Sequence, residues 1–429
     1  MNGALGVIAL LGLLTMGVPI GVAMGLVGIV GLTLLVGFEP ALIKSGVVFF
    51  ETYSRHELGV LPLFLFMAHI CFAAGASRDF FDAAAKLVGH RRGGLALASI
   101  VGCAGFGAVS GSSLATAATI GLIGLPEMRK RGYSDALATG SIAAGGTLGS
   151  LTPPSGALIV FGILAEQSIG KLFTAAIIPA LTQALLYMIV IVIVCRWRPT
   201  IAPPAAKASW RERRAALVRV IDIAALVGIV LGGIAVGWFT PTEAASVGAS
   251  LSLVMCALRK KFTLSALKTA LSGTLKTTGM LYTVILGALI FSVYISLTGL
   301  AEQIATLIGH FHGGPMITMI VITLLLLVLG SVLDGLAMML LTTPILLPIV
   351  VNLGLSPIWF GVFLIRTMEV GFVHPPIGIN LYVIQNIAPD VPITRIFKGV
   401  LPFLAADFLH IALLLAFPAM VLALPHWLS

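Results

Sequence analysis

One segment inside a long apolar stretch combines the residue types that could bind an alkali cation. Residues 105–121 hold Ser110, Ser112 and Ser113 among glycines and threonines, where a hydrophobic run must stop being helical. Backbone groups freed at membrane depth need partners, and hydroxyl and carbonyl oxygens are hard donors that suit an alkali cation better than a transition metal. The alternative is a helix-packing face, because the same small residues let helix backbones approach closely.

A second segment, residues 143–156, places Pro153 and Pro154 inside an apolar helix that also carries four glycines. Proline lacks a backbone donor and clashes with the preceding helical turn, so the carbonyls around Gly149–Thr152 are left free for a ligand. A related segment spans residues 369–380. The alternative is a simple kink, for which a single proline would be enough.

Charged residues at membrane depth are costly and indicate function. Asp334 stands at the tip of a second interrupted apolar stretch. Arg366 and Glu369 lie three residues apart on one helix face and could form a closed structural pair. In the alternative, Glu369 orients the interrupted turn while Arg366 meets an anionic substrate. Asp407 and His410 are expected to face a scaffold contact.

These helix breakers recur at a register of 222 residues. Pro153-Pro154 returns as Pro375-Pro376, and Gly149 returns as Gly371. Paired breaks in corresponding hydrophobic segments of two halves are typical of the binding site of a secondary transporter.

Composition fixes the class of protein. The chain has 429 residues, of which 59% are hydrophobic and 10% charged, and its mean hydropathy is +1.11. Such a chain is a polytopic membrane protein. No nucleotide-binding loop, HExxH motif or soluble catalytic domain is present, so we expect no enzymatic activity. The four cysteines show no metal-binding spacing.

The basic residues predict the topology. With the N-terminus outside, 21 of the 25 Lys and Arg residues fall in cytoplasmic loops. The net charge of +9 therefore reflects membrane topology and not nucleic-acid binding. We expect a multi-pass protein of the bacterial inner membrane, in contact with lipid, with both termini periplasmic.

The predicted organisation is two inverted repeats around a linker. Each repeat contains scaffold helices, an arm, a re-entrant hairpin, a broken helix and a final helix. In the first repeat, 1–200, the scaffold helices are 3–76, the arm is 77–92, the re-entrant hairpin is 94–130, the broken helix is 136–165 and the final helix is 171–195. The cytoplasmic linker is 201–220. In the second repeat, 221–429, the scaffold helices are 221–298, the arm is 299–314, the re-entrant hairpin is 316–351, the broken helix is 357–386 and the final helix is 399–424.

The segments 107–121, 143–155 and 369–380, together with Pro126-Glu-Met and Gly132-Tyr, resemble the large membrane subunit of tripartite ATP-independent periplasmic (TRAP) transporters. The resemblance runs over essentially the whole chain. It implies an all-α inverted-repeat elevator fold with two re-entrant hairpins and two broken helices. It also implies sodium-driven import of an organic acid, such as a C4-dicarboxylate or sialic acid. The implied partners are a periplasmic substrate-binding protein and a separate four-helix small membrane subunit.

By position, the resemblance implies two sodium sites and a substrate site between the hairpin tips, with no other cofactor. The first sodium site would use Ser110, Ser112, Ser113, Gly149, Thr152 and Ser155. The second would use Asp334, Gly371 and His374, the last where a small hydroxyl residue is expected. The substrate residues would be Gly111, Thr116, Gly145, Gly146, Thr147, Pro154, Arg366, Glu369, Pro376 and Asn380.

Two other functions remain open from the sequence. One is a carrier of the same superfamily that takes a carboxylate without a binding protein and is coupled to sodium or protons. The other is a channel or a structural membrane subunit, for which the paired broken helices and the charges at membrane depth have no obvious use.

Overall fold

The computed structural model describes residues 2–300, 303, 314–375 and 378–428, and across these ranges the chain contains α-helices and short 3-10 turns but no strands. Eight helices in the described ranges are long and apolar enough to cross a membrane, or nine if one bent pair counts as a single span. The predicted all-α polytopic class is confirmed.

The first half contains ten helices. They are α1 (Asn2–Thr15), α2 (Ile20–Val36), α3 (Phe38–Ser54), α4 (Val60–Ala73), α5 (Ala76–Val88), α6 (Gly94–Ser110), α7 (Ser113–Lys130), α8 (Asp135–Leu151), α9 (Gly156–Leu164) and α10 (Ile169–Trp197). Helix α3 was not predicted as a separate helix. It ends at Ser54, one residue before Arg55 adopts an extended conformation.

The second half contains nine helices in its described ranges. They are α11 (Trp210–Ala235), α12 (Pro241–Leu258), α13 (Leu264–Thr298), α14 (Gly314–Val332), α15 (Gly335–Asn352), α16 (Pro357–Gly371), α17 (Ile379–Ile387), α18 (Ile393–Ala416) and α19 (Ala419–Leu428). The predicted arm 299–314 lies almost entirely outside the described residues.

One predicted boundary is wrong because a helix extends into the predicted linker. Helix α11 begins inside the predicted linker 201–220, where Ser209 and Glu212 form a reciprocal capping box that satisfies free amides of the first turn. Helix α13, within the predicted scaffold range 221–298, begins at Leu264 and continues unbroken for 35 residues. Its basic residues are therefore helical.

The first hairpin turns where its sequence favours a helix end and a helix start. Gly111 ends α6 in the left-handed region at φ 59°, which glycine adopts without steric cost. Ser112 then caps α7, and its hydroxyl accepts a hydrogen bond from the Ala115 amide. In the second hairpin the equivalent N-cap residue of α15 is Asp334.

Two arginines tie the elements together at the helix ends. Arg259, which follows α12, donates to Asp79 on α5 and Asp222 on α11, and to the carbonyls of Ala74 and Arg219. This side chain links the helix that leads into the first hairpin to two scaffold helices.

Arg129, at the base of α7, makes the second tie. It donates two hydrogen bonds to Asp390, which lies between α17 and α18, and one to Asp135 at the start of α8. Hydrogen bonding from Arg129 lowers the pKa of the exposed Asp390 carboxyl below its usual value. The pair joins the base of the first hairpin to the second half of the chain.

Candidate functional site

A cavity of about 270 Å³ lies where the two hairpin tips meet two of the predicted scaffold helices. Its walls come from the first tip, the α8–α9 turn, the second tip, α16, and the helices α4 and α13. The polar lining residues are Ser110, Ser112, Ser113, Ser150, Ser155, Thr277 and Asp334. The lining residues that the structure describes include one carboxylate and no Lys, Arg or His. The cavity is therefore mostly apolar, rich in hydroxyls and formally negative.

The first hairpin tip is held in shape by its own hydroxyls. The Ser110 and Thr116 hydroxyl oxygens are 2.7 Å apart, and the Ser112 carbonyl accepts from the Thr116 amide at 3.1 Å. Thr116 is fully buried and does not line the cavity. Ser110 and Ser112 do line it, so the structure brings these two predicted cation residues to one surface.

The α8–α9 turn lies directly against this tip. The backbone of Gly149 contacts the Ser112 carbonyl and the Thr116 hydroxyl, and any larger residue there would collide with both. The Ser155 hydroxyl donates to the Ser150 carbonyl at 2.5 Å. The Thr152 hydroxyl is buried and has no hydrogen-bond partner in the described part of the chain. Closely spaced oxygens with one unpartnered hydroxyl suit a bound alkali cation.

The structure places the three residues of the second predicted sodium site, Asp334, Gly371 and His374, in different surroundings. Asp334 is exposed and lines the cavity. Gly371 packs against the backbone of Gly330 in the second hairpin. His374 does not line the cavity, and its ring lies 6.4 Å from that of Phe408 on α18. Its Nδ1 atom is buried without a partner among the described residues.

The Ser113 side chain, at the edge of the cavity, joins the two halves of the chain. Its hydroxyl oxygen lies 2.5 Å from Glu369 Oε2 and 3.1 Å from the Gly146 carbonyl, and its amide donates to the Ser150 hydroxyl. Asn380 Nδ2 contacts the same hydroxyl at 3.5 Å and donates to the Ala143 carbonyl at 3.3 Å. Ser113, Glu369 and Asn380, hereafter the Ser113 cluster, are all at least 98% buried.

Arg366 belongs to another buried network, and its hypothetical pairing with Glu369 is wrong. The guanidinium donates to Asp407 at 2.5 Å and to His410 Nδ1 at 3.0 Å, both on α18. Asp407 Oδ1 also accepts from Gln183 at 2.7 Å and from Tyr187 at 2.6 Å, both on α10. Arg366 is fully buried and does not line the cavity. The geometry therefore assigns it a structural role and not the predicted contact with substrate.

The other predicted substrate residues fall in three places. Gly111 and Pro154 line the cavity. Gly145 and Gly146 lie in helix interfaces, against Cys103 and Ala117 respectively, and their packing leaves no room for a ligand. Thr147, Glu369 and Asn380 do not line the cavity, and the Thr147 hydroxyl contacts Tyr187. Pro376 lies outside the described residues.

Sequence reasoning missed the scaffold wall of the cavity. Leu61 and Phe64 on α4 and Thr277 and Met280 on α13 face the hairpin tips. Nothing in their sequence context distinguishes them from ordinary residues of an apolar helix. Only the packing of α4 and α13 identifies them.

Comparisons with known proteins agree with this architecture. Residues 7–420 match the family described as "Tripartite ATP-independent periplasmic transporter, DctM component". The chain is 36% identical to the C4-dicarboxylate TRAP transporter large permease protein DctM of Pseudomonas aeruginosa, over 94% of each chain. It is 32% identical to the sialic acid TRAP transporter large permease protein SiaM of Vibrio cholerae, over 97% of this chain and 96% of that one.

A solved structure shares the fold. The crystal structure of the Alcanivorax borkumensis YdaH transporter superposes with a TM-score of 0.59, covering 88% of each chain at 16% sequence identity. At that identity the likeness concerns the fold alone.

Proposed function

The chain belongs to the DctM component family of tripartite ATP-independent periplasmic transporters, and we propose that it imports an organic acid driven by a sodium gradient. A periplasmic substrate-binding protein would deliver the acid, and a four-helix small membrane subunit would complete the membrane complex. The substrate would be a C4-dicarboxylate, a sialic acid or a similar carboxylate, the classes named for two relatives.

The observation that carries this proposal is the charge of the cavity. Among the described residues Asp334 is the one charged residue of its lining, so a carboxylate that enters meets a formal negative charge and no basic side chain from that part of the chain. Two like charges close together in a mostly apolar cavity repel each other. A bound cation offsets that repulsion, which gives a direct physical reason for coupling the entry of an acid to the entry of sodium.

Helix termini supply the anion-recognising groups that the side chains lack. The first residues of α7 and α9, Ser113 and Gly156, line the cavity, and so does Leu336 in the first turn of α15. Each helix N-terminus carries partial positive charge, which suits a carboxylate, although the Ser113 amide itself donates to Ser150 and the Gly156 amide to Gly111. Interrupted helices whose N-termini point at an anionic substrate are a recurring device in secondary transporters.

Two groups of oxygens are proposed to bind sodium. The first is Ser110, Ser112 and the turn from Gly149 to Ser155, where the buried Thr152 hydroxyl makes no hydrogen bond to the described residues and offers an oxygen ligand. The second is built around Asp334 and the carbonyls near Gly371. Nitrogen is a poor ligand for a hard cation, so His374 is proposed as a neighbour of the second site and not as a ligand.

We propose an elevator movement as the transport step. The cavity lies between the helices α4 and α13 on one side and the hairpins with their broken helices on the other. Because the cavity-facing residues of α4 and α13 are apolar apart from Thr277, no ion pair among the described residues of this wall opposes sliding of the hairpin side past it. We also propose a bacterial inner-membrane location with periplasmic termini, on the basis of the basic residues in the predicted cytoplasmic loops.

Reconstituted uptake tests the proposal. The complex of this chain, its small subunit and candidate binding proteins is placed in proteoliposomes, and labelled acids are offered with and without an inward sodium gradient. Accumulation is expected only with a binding protein present and with external sodium above internal sodium. Uptake that continues without sodium but follows a proton gradient would contradict sodium coupling. Uptake without any binding protein would favour a self-sufficient carrier of the same superfamily.

A further inference from the structure

The cavity between the hairpin tips and the helices α4 and α13 has a polar side and an apolar side, and this division bears on the class of acid that fits it. We propose that the substrate is a small acid with one carboxylate and an apolar body, rather than a dicarboxylate or a polyhydroxylated acid such as a sialic acid. The carboxylate lies against the first hairpin tip and the α8–α9 turn, and the apolar body lies against α4 and α13. This selection rests on the proposed import of an organic acid and names the class of that acid.

The polar side offers two backbone donors to a carboxylate. Leu114 and Ala157 line the cavity as the second residues of α7 and α9. An amide at this position cannot bond within its own helix. The serine caps of the two helices accept from Ala115 and Leu158 instead, and neither the Leu114 nor the Ala157 amide has a hydrogen-bond partner among the described residues. Two amides at two helix N-termini suit the two oxygens of one carboxylate.

The serine hydroxyls of the polar side add little to these two donors. Five serines line it, and the hydroxyls of Ser113, Ser150 and Ser155 lie within hydrogen-bond distance of acceptors elsewhere in the protein. The Ser110 hydroxyl shares its hydrogen bond with a threonine of the same tip. The Ser112 hydroxyl accepts from an amide and donates to no acceptor in the described ranges, so its hydrogen is available. Two amides and one hydroxyl can serve a single carboxylate, which has about four lone-pair sites.

A second carboxylate would lack partners. The lining that the structure describes contains no Lys, Arg or His, and its one charged residue is Asp334. A dicarboxylate would therefore add two negative charges to a cavity that already holds one. Its second carboxylate would have neither a cationic side chain nor a free pair of donors, and removing such a group from water without a partner is costly. An acid with one carboxylate avoids that cost.

The side of the cavity formed by the scaffold helices is apolar. Helix α4 contributes Leu61, Phe64 and Leu65, and α13 contributes Met280 and Leu281. An apolar body that leaves water for this wall is stabilised by the hydrophobic effect. The hydroxyls of a sugar-like acid would lose their water there without gaining hydrogen bonds. The cavity volume of about 270 Å³ also favours a small acid, since it lies just below the range of about 300–1,000 Å³ that is usual for ligand pockets.

Thr277 is the one polar side chain that the described part of α4 and α13 contributes to the lining. Its hydroxyl has no hydrogen-bond partner among the described residues, whereas Thr274 and Thr283 on the same helix donate to the carbonyl four residues earlier. One free hydroxyl can serve one polar atom, such as a keto or hydroxyl oxygen, but not both oxygens of a second carboxylate. The apolar body of the acid thus carries at most one further polar group.

Binding of three matched six-carbon acids to the purified complex of this chain and its small subunit tests the proposal. Hexanoate has one carboxylate and an apolar chain, hexanedioate adds a second carboxylate, and gluconate adds hydroxyls along the chain. A ligand that binds the folded protein raises its Tm with concentration, which gives a dissociation constant. In sodium buffer, we expect hexanoate to bind more tightly than either of the others by roughly tenfold to a hundredfold, the effect of leaving a buried polar group unpaired.

Two alanine variants on α13 locate the bound acid. Met280→Ala removes an apolar side chain from the cavity lining and should weaken the binding of hexanoate roughly tenfold. Leu275→Ala, on the same helix but outside the lining of this cavity, is the matched control and should bind hexanoate like the wild type. Both side chains are more than half exposed, at 55% and 71%, so both variants should fold.

Hexanedioate or gluconate binding as tightly as hexanoate would overturn the proposal, and so would the absence of hexanoate binding. Equal affinity of Met280→Ala and the wild type would also count against it, because hexanoate would then bind outside the cavity. Uptake into proteoliposomes separates this result from the proposed function. Sodium-driven accumulation of hexanedioate would support import and contradict the selection. Selective binding of hexanoate without sodium-driven uptake of any acid would support the selection and contradict the import.

Discussion

The Arg366–Asp407 pair predicts a specific pattern of stability in single and double variants. In Arg366→Met, Asp407 stays in a site that is fully buried and loses the one cationic partner that it has within the described ranges. Removing one partner of a buried ion pair costs about 3–5 kcal/mol. Since 1 kcal/mol shifts the Tm by roughly 2–4 °C even in domains of 150–250 residues, we expect a loss of several degrees.

A second substitution should recover much of that loss. Asp407→Asn removes the uncompensated charge but keeps an oxygen that accepts from Gln183 and Tyr187. Arg366→Met combined with Asp407→Asn should therefore melt well above Arg366→Met alone, with a coupling energy of about 0.5–3 kcal/mol. The assay is thermal unfolding of purified protein in one detergent, with uptake measured in parallel.

Uptake distinguishes this interpretation from a role in substrate recognition. If Arg366 braces α16 against α10 and α18, the double variant should regain folding and part of its uptake. If Arg366→Met melts like the wild type but transports nothing, the structural role is refuted and direct contact with the acid is restored as the explanation. Arg366→Lys should fold poorly under the structural view, because one ammonium cannot serve both Asp407 and His410 in the same geometry.

Three further predictions concern the sodium site, pH and the arm. Ser112→Ala should raise the sodium concentration for half-maximal uptake by roughly tenfold to a hundredfold, the equivalent of about 1–3 kcal/mol. The control is Ser134→Ala, which removes an N-cap of the same type at α8 and should leave that sodium concentration unchanged. Because the pKa of Asp390 is lowered in the folded protein, its pair with Arg129 stabilises above about pH 4, the unfolded value, and is lost as the pH falls through the folded pKa. The Tm difference between wild type and Asp390→Asn should thus be present at pH 7 and vanish in acid; a difference that persists below the folded pKa would contradict the pairing. Arg259→Lys should lower the Tm and slow uptake, since one ammonium cannot replace the five hydrogen bonds of the guanidinium. A variant with the Tm and the uptake rate of the wild type would show that these hydrogen bonds are dispensable.

The sequence by itself determined where the helices break at the candidate site. Gly111 and Ser112 end one helix and start the next through their own backbone and side-chain chemistry, and the prolines after Thr152 interrupt α8 for equally local reasons. Local rules also account for the polytopic class, because hydropathy is a property of each segment. The capping box at Ser209 encodes the start of α11 by the same kind of local rule, inside the predicted linker.

Tertiary structure alone decided which polar groups meet. The spacing of Arg366 and Glu369 predicts a pair on one helix, but the guanidinium turns to Asp407, 41 residues away, and Glu369 turns to Ser113, 256 residues away. A polar side chain can pair with a residue on its own helix or with one on a packed helix. In a buried site, the pair whose hydrogen bonds are better satisfied is the more stable one. The choice depends on how α16 is rotated against α7, α10 and α18, and no local pattern encodes that rotation.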